Sequence, residues 1–168
     1  DMELMQRYAA LNRQIIKEVV LEGMKWHEDG SFSTIHNYID FADGILRKGA
    51  VSAKTGERLL IPLNMRDGSL ICTGLGNPDW NCSAPHGAGR RMSRKDAESS
   101  FTVSAFKKEM EGVFTTSVSA ETLDECPMAY KPMEELLDNI ADTVKVEQRL
   151  RPVYNFKAGE FSGRKPRL

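Results

Sequence analysis

The stretch from Asn81 to Arg94, which reads Asn-Cys-Ser-Ala-Pro-His-Gly-Ala-Gly-Arg-Arg-Met-Ser-Arg, constrains this chain more than any other. It places His86 directly before a Gly-Ala-Gly turn, where glycine permits positive φ and lets backbone N–H groups approach a ligand closely. Successive N–H groups in such a turn bind anions, and the arginines behind it carry paired donors that fit phosphate. A histidine beside a bound phosphate is able to attack phosphorus and hold the phosphoryl group covalently. The same residues also suit an ordinary loop, so both interpretations are open at this point.

Composition limits the class of protein. The chain has 168 residues, the size of one domain, and a formal net charge of −1, which excludes the overall positive field of many nucleic-acid binders. Arginine and lysine crowd at 90–95 and 164–167, so a polyanion site would be local. Three distant cysteines without a Cys-x-x-Cys pair argue against a disulfide framework and a structural zinc site, and predict a reducing, cytoplasmic location. The sequence shows neither a membrane-length apolar stretch nor a signal-peptide pattern, so no membrane partner is expected.

Hydrophobic periodicity predicts a mixed α+β domain, with a mixed sheet and packed helices rather than a doubly wound sheet with a phosphate loop. Ser93 is a candidate helix N-cap, with Asp96 at the third helical position. Helices are predicted over residues 1–23, from Ser93 onward, over 101–112 and over 133–150. Strands are predicted over residues 33–40, 58–62, 69–77, 112–116 and 151–157.

His86-Gly-Ala-Gly-Arg90, together with Met92-Ser93-Arg94, resembles the signature of RtcB-type RNA ligases, in which the histidine of this motif becomes guanylylated. Further stretches match in the family's order: Asp1 to Arg13, His36-Asn37, the Arg-Lys-Gly-Ala segment within Gly44 to Val51, and Glu125-Cys-Pro-Met-Ala-Tyr-Lys. The resemblance implies that residues 1–158 form the C-terminal portion of an RtcB-like fold. Residues 159–168 are predicted to be a disordered tail, because their Gly/Arg/Lys/Pro composition is poor in apolar side chains.

The resemblance also implies the reaction and its site. His86 would attack the α-phosphorus of GTP, pass GMP to an RNA 3′-phosphate formed from a 2′,3′-cyclic phosphate, and a 5′-hydroxyl would then displace GMP. Such a ligase acts in tRNA splicing or RNA repair. The implied nucleotide-binding residues are His36, Asn37, Pro62, Leu63, Asn64, Met65, Ser69, Gly87, Ala88, Gly89, Arg90, Tyr130 and Lys157.

Two manganese ions are implied as well, bound in the family by an aspartate, a cysteine and three histidines. Only His36 has a counterpart here, as a metal ligand, and the other ligands belong to the N-terminal half of the family's chain. One histidine does not hold two divalent ions. We therefore expect these residues to be inactive or weak alone, and to need an N-terminal half as partner.

Several residues have a second interpretation from the sequence alone. His36 suits a half-buried histidine with a backbone partner as well as a metal ligand. Tyr130 would either lie against the nucleotide or anchor its loop to the core. Arg47 and Lys48, beside a glycine, would either meet a phosphate or solvate a strand end. His27 matches no motif and is expected at the surface.

The sequence departs from the family pattern at two places. Leu63, Asn64 and Arg66 stand where glycine, serine and glycine are usual, which would narrow the approach of the backbone to a phosphate, although Arg66 would add charge. Ala84 and Pro85 replace small polar residues before the histidine, and proline stiffens that approach.

Three functional classes follow from these observations. The first is the GTP-dependent ligase, and the departures would suit a paralogue for RNA repair. The second is a catalytically incomplete nucleotide- or RNA-binding module, favoured by the missing metal ligands. A purely structural protein gives no reason for histidine, glycines and arginines at this spacing. A partner that carries Asp-x-x-Cys and two further histidines would favour the enzyme.

Overall fold

The structure, a computed structural model, describes residues 1–157, so the tail predicted at 159–168 lies outside the described residues. The α+β class predicted from the sequence is confirmed. The helices are α1 (Met2–Met24), α2 (Arg94–Ser100), α3 (Val103–Glu109) and α4 (Met133–Ile140). The strands are β1 (His36–Asp40), β2 (Ile45–Ser52), β3 (Arg58–Pro62), β4 (Ser69–Gly74), β5 (Ser83–Pro85), β6 (Phe114–Thr115), β7 (Val144–Leu150) and β8 (Tyr154–Asn155). Short 3₁₀ helices cover Pro78–Trp80, Ala120–Glu125 and Pro127–Ala129.

The strands form three separate sheets. One antiparallel sheet has the order β1-β2-β5, a second has the order β3-β4-β7, and β6 and β8 form a short parallel pair. In the first sheet Ala50 of β2 lies opposite Pro85 of β5, which brings the chain just before His86 against β2. In the second sheet Pro62 of β3 lies opposite Ser69 of β4, so the loop of residues 63–68 projects from one end of that hairpin.

The helix predicted over residues 133–150 is wrong in its second half. The helix ends at Ile140, where the backbone N–H and the hydroxyl of Thr143 both donate to the Ile140 carbonyl. Residues 144–150 instead form β7, which pairs with β4 from Gly74↔Val144 to Ser69↔Leu150. Leu136, Ile140 and Val144 are four residues apart and enter the same core cluster, so their spacing imitates one continuous helical face. Pairing with the β4 backbone outweighs that periodicity, and β-branched Val144 suits a strand.

Two apolar clusters form the core. The first lies between the two antiparallel sheets and α4, and contains Val51, Ala53, Leu59, Ile61, Leu63, Leu70, Cys72, Ala84, Ala88, Leu136, Ile140 and Val144. The second lies under α2, α3 and the 3₁₀ helices, and contains Met65, Ala97, Phe106, Met110, Leu123, Cys126 and Ala129. Leu63 and Met65 are two residues apart but belong to different clusters. The loop after β3 therefore spans the junction between them.

Helix α1 lies apart from both clusters. It has no buried residue, and its large apolar side chains are exposed: Met2, Leu4, Met5, Tyr8, Leu11, Ile15, Ile16, Val19, Val20 and Met24. Gln6 attaches it to the edge of β1, because its amide accepts from the Ile39 N–H at 2.7 Å and donates to the Ile39 carbonyl at 3.1 Å. Across residues 1–157, none of the helices combines the length and apolar character needed to cross a membrane.

Other sequence predictions agree with the structure in outline. Ser93 caps α2, since its hydroxyl accepts from the Asp96 N–H, as predicted. The helix predicted over 101–112 is α3, with Thr102 as its N-cap. The terminal strand predicted over 151–157 is regular only at Tyr154–Asn155, and the one over 112–116 only at Phe114–Thr115.

Candidate active site

A cleft of about 630 Å³ lies at the junction of the two clusters. Its walls come from the loop after β3, the turn after His86, the loop before α4 and the segment around β8. Most of the residues predicted for the site line it: Pro62, Leu63, Asn64, Met65, Ser69, His86, Gly87, Ala88, Gly89, Arg90, Tyr130 and Lys157. His36 and Asn37 lie outside this lining. Seven further residues complete the lining: Gly68, Arg94, Glu125, Leu150, Arg151, Pro152 and Asn155.

The Gly-Ala-Gly turn is fixed by backbone contacts on both sides. Ala88 N–H donates to the Pro62 carbonyl at 3.1 Å, and Lys131 N–H donates to the Gly89 carbonyl at 3.1 Å. A Cβ at Gly87 would make a tight contact of 3.1 Å with the Pro62 oxygen, and Gly89 has φ of +74°, a conformation that favours glycine. The Ala88 N–H is thus used within the protein, which reduces the anion-binding nest expected at residues 87–89.

His86 is exposed, and its ring orientation is fixed by β2. Its Nδ1 lies 2.7 Å from the carbonyl oxygen of Gly49, and its backbone N–H donates to the same oxygen. Because a carbonyl only accepts, Nδ1 carries the proton in this arrangement and Nε2 keeps its lone pair. The geometry therefore leaves Nε2 as a nucleophilic atom.

His36 contacts His86, and Asn37 contacts Gly49. The rings of His36 and His86 are stacked, with centroids 4.9 Å apart and planes 18° apart. Asn37 has φ of +57°, and its Oδ1 accepts from the Gly49 N–H at 2.7 Å. Gly49 is thus bound through its N–H by Asn37 and through its carbonyl by His86. The predicted His-Asn pair is coupled to His86 without lining the cleft.

The neutral form of His36 is favoured. Burial lowers the pKa of His36, and the nearby charges of His86 and Arg13 lower it further. A neutral imidazole is the form that binds metal ions. The metal-ligand interpretation of His36 is therefore chemically available. The half-buried interpretation is wrong, because His36 is exposed and its ring stacks on His86.

The residues described do not by themselves fit a pair of manganese ions. Among them no group of three or more His, Cys, Asp and Glu side chains is arranged to hold a metal ion. Burial raises the pKa of the Cys72 thiol to about 11, with the Glu147 charge adding to this, and burial also raises the pKa of Cys126. Thiols bind metals as thiolates, so neither cysteine replaces the family's cysteine ligand.

The basic residues next to family motifs have different roles. Arg47 is buried, and its guanidinium donates to Tyr38, Asp40 and Ser83, so it is a structural residue of the first sheet. Lys48 is exposed on the neighbouring surface. His27 is exposed, as expected.

The departures from the family pattern stabilise the loop after β3 and the core. Leu63 is buried in the first cluster, and Asn64 Oδ1 accepts from the N–H groups of Arg66 and Asp67. Arg66 forms ion pairs with Asp67 and with Glu109 of α3. Arg66 does not line the cleft, so the charge expected from it there is instead neutralised on the outer side of the loop.

Tyr130 anchors its loop to the core, as one of its interpretations predicted, and its place against a nucleotide stays a prediction. It lines the cleft, and its ring packs against the second cluster. Its hydroxyl donates to Glu125 Oε2 at 2.8 Å and accepts from Arg90 Nη1 at 3.2 Å. Burial and the neighbouring Glu125 carboxylate raise the pKa of Tyr130 to about 12, so the phenol stays protonated.

Glu125, Arg94, Arg151 and Asn155 were not predicted as site residues. The argument from phosphate binding selects cations and glycines, and it offers no reason to choose a carboxylate. The sequence feature that pointed to Glu125 was the stretch from Glu125 to Lys131, which resembles a family motif as a whole. Arg94 stood in the quoted signature, but only the three-dimensional arrangement shows that it faces the same cleft.

Comparison with known proteins shows which family the chain belongs to. The family model described as tRNA-splicing ligase RtcB matches residues 1–158. The chain belongs to the RtcB family. RNA-splicing ligase RtcB1 of an Escherichia coli strain is 36% identical, over 88% of this chain and 40% of the relative. The family resemblance inferred from the histidine motif is thus confirmed.

Two other RtcB relatives give the same picture. RNA-splicing ligase RtcB of Escherichia coli K12 is 35% identical, over 88% of this chain and 40% of the relative. The tRNA-splicing ligase RtcB of Aeropyrum pernix is 30% identical, over 87% of this chain and 38% of the relative. The chain therefore spans about 40% of the length of the curated RtcB relatives it matches.

Proposed function

We propose that this chain is the nucleotide-transfer portion of a GTP-dependent RNA ligase that joins RNA 3′-phosphate or 2′,3′-cyclic phosphate ends to 5′-hydroxyl ends, in tRNA splicing or RNA repair. One observation carries the proposal: His86 is exposed and lines a cleft with four cationic side chains, and its Nδ1 lies 2.7 Å from the Gly49 carbonyl oxygen, which leaves Nε2 free of that contact. The names of the RtcB relatives, which are RNA-splicing and tRNA-splicing ligases, support the same reaction class.

In the first step Nε2 of His86 attacks the α-phosphorus of GTP. An N–P bond forms, the bond to the β-phosphate oxygen breaks, and pyrophosphate leaves with its electron pair. The imidazole becomes positively charged, and the hydrogen bond from Nδ1 to the Gly49 carbonyl stabilises that charge. Arg90 and Lys157 line the cleft, where they would stabilise the negative charge that develops on the phosphate oxygens.

In the later steps an oxygen of the RNA 3′-phosphate attacks the same phosphorus, and the N–P bond to His86 breaks. The 5′-hydroxyl of the second RNA end then attacks the RNA 3′-phosphorus, loses its proton, and GMP leaves. The residues of this chain bind and orient the nucleotide in both steps. No step of this chain is assigned to a metal ion, because the described residues hold no group of three or more metal ligands and His36 is the one candidate manganese ligand among them.

A partner portion is part of the proposal. The relatives are about two and a half times as long as this chain, and the large apolar side chains of α1 are exposed. We propose that a segment corresponding to the N-terminal half of RtcB ligases covers α1 and supplies the other manganese ligands. A cytoplasmic location is included, since Cys72, Cys82 and Cys126 are free thiols.

The decisive experiment is incubation with α-labelled GTP and manganese, followed by intact-mass analysis. The matched variants are His86→Ala and His27→Ala, the second at an exposed histidine outside the cleft. An acid-labile GMP adduct that only His86→Ala abolishes supports a working nucleotide-transfer site in this chain. An adduct that appears only after an N-terminal RtcB portion is added supports a half-enzyme.

The second candidate function is a nucleotide- or RNA-binding module without catalysis. The observation that favours it is that His36 is the one family metal ligand with a counterpart in this chain. Absence of an adduct under both conditions, with GMP binding retained, would replace the ligase proposal by this one.

A further inference from the structure

Glu125 is the one carboxylate among the described residues that line the cleft, in a site otherwise suited to anions. Its side chain is only 14% exposed. Oε2 accepts from the Tyr130 hydroxyl at 2.8 Å and from Lys157 Nζ at 3.0 Å. Oε1 accepts from Arg94 Nη1 at 2.5 Å and lies 3.8 Å from Arg90 Nη1. Three donors, from Arg94, Tyr130 and Lys157, thus converge on one carboxylate, and the Arg90 guanidinium lies nearby.

The charge of Glu125 is permanent under ordinary conditions. Burial alone would raise the pKa of Glu125, but the hydrogen bonds from Tyr130, Lys157 and Arg94 outweigh burial and hold it at about 2. A fixed negative charge opposes the binding of a phosphate in the same cleft. Such a residue would lower nucleotide affinity unless it contributes in another way.

Glu125 contributes by fixing the side chains that donate to it. The ammonium group of Lys157 lies at the end of a flexible four-carbon stem. The backbone N–H of the same residue donates to the Ser117 hydroxyl at 2.8 Å. Glu125 fixes the ammonium group, by accepting from it. It also takes the Tyr130 proton, which leaves the phenol oxygen to accept from Arg90 at 3.2 Å. One carboxylate therefore sets the direction of cations that come from the Gly-Ala-Gly turn, α2 and the segment after β8.

We propose that Glu125 is a positioning residue for nucleotide binding, which acts through Lys157 and through the Tyr130–Arg90 pair. This inference deepens the proposed function and rests on it. Four cationic residues line the cleft, namely Arg90, Arg94, Arg151 and Lys157, so the cleft stays positive with Glu125 present. The two possible roles predict opposite signs. If only its charge matters, neutralising Glu125 strengthens binding of an anion; if positioning matters, the same change weakens it.

The test is GMP binding to the full chain by calorimetry, for wild type, Glu125→Gln, Lys157→Ala and the double variant. We expect Glu125→Gln to weaken GMP binding by about tenfold or more, in line with the loss of hydrogen bonds to charged groups. The double variant should bind about as weakly as the weaker single variant, because both changes remove the same arrangement. Glu135→Gln is the control, since it removes an exposed carboxylate paired with Lys131 at 2.8 Å outside the cleft lining.

Each outcome decides something different. If wild type binds no GMP, alone or with an N-terminal RtcB portion, the proposed function fails and this inference fails with it. If wild type binds and Glu125→Gln binds equally or more tightly, or if the double variant is additive, the positioning role alone is overturned. Melting temperatures without GMP show whether a variant is folded. Should Glu125→Gln unfold, Glu125→Asp decides, because it keeps the charge and shortens the reach: weakened binding supports positioning, and unchanged binding refutes it.

Discussion

The cleft and helix α1 differ in how this chain supports them. Around the cleft, the turn after His86 is held by backbone hydrogen bonds to Pro62 and Lys131 and lies between two apolar clusters. Helix α1 is longer than any other element, yet none of its residues is buried, and Gln6 provides its side-chain hydrogen bonds to β1. The comparison shows that the cleft is built from residues of this chain, whereas an amphipathic helix of this kind needs an apolar partner surface.

The same contrast separates the two histidines. His86 receives its orientation from Gly49 of β2, which this chain supplies completely. His36 stacks on His86, but a metal ion there would need further ligands from outside the described residues. In our proposal this chain supplies the nucleophile, and another segment shares in supplying the metal ligands.

The largest expected effect is on the free energy of unfolding, when a substitution in the core is compared with one in α1. Phe106 is fully buried in the second cluster and Leu11 is 55% exposed. We expect Phe106→Ala to lower the free energy of unfolding by about 3–5 kcal/mol, since it leaves a cavity, and Leu11→Ala to change it by less than about 0.5 kcal/mol. Urea denaturation of both variants measures the difference. A loss of several kcal/mol in Leu11→Ala for the chain alone would contradict the contrast drawn between α1 and the core.

The next prediction tests whether the turn at Gly89 serves binding as well as folding. Gly89 has φ of +74° and Gly112 has φ of +91°, so alanine at either position should cost roughly 1–2 kcal/mol of stability. Only Gly89 lines the cleft. GMP binding should therefore fall in Gly89→Ala and be unchanged in Gly112→Ala, when both are measured below their melting temperatures. Equal binding by the two variants would show that the turn is not part of the nucleotide site.

Acid stability should distinguish the cleft from the surface. The pKa of Glu125 is held at about 2 in the folded protein, below its usual 4.5, so the stabilisation from its ionised form is complete above pH 4.5. That stabilisation is lost as the pH falls from 4.5 towards 2. The melting temperature of wild type should therefore fall more steeply over this range than that of Glu125→Gln. Glu135→Gln, which breaks only an exposed pair, should follow the wild-type curve closely.

The smallest effect concerns the attachment of α1. Gln6→Ala removes two hydrogen bonds to the Ile39 backbone and should cost about 1 kcal/mol locally. Hydrogen exchange at the Ile39 amide should speed up, while amides of β4 stay protected. Gln14→Ala is the matched control, since Gln14 bonds only to Glu18 within the helix. Unchanged exchange at Ile39 would mean that another contact holds α1 to β1.

Much of the site was predictable because its residues occur in short motifs. His86, the glycines after it, Arg90, Tyr130 and Lys157 were all selected from the sequence, and the structure brings them to one cleft. Their roles in nucleotide binding stay predictions. The error at 133–150 arose because Leu136, Ile140 and Val144 keep a helical spacing while their backbone changes from α4 to β7. Periodicity records which side chains are buried, and it does not record which strand is available for pairing.

The sequence by itself determined the α+β class, the RtcB family and the candidate nucleophile, because these depend on local patterns and on residues close together in the chain. Tertiary structure decided which distant groups act together. Asn37 binds Gly49 across the β1–β2 hairpin, and His86, which follows β5, reaches the same glycine. Glu125 binds Arg94 and Lys157, which lie more than 30 residues away on either side of it in the chain. Such contacts depend on how the two clusters pack against each other, and that packing has no signature in any single stretch of sequence.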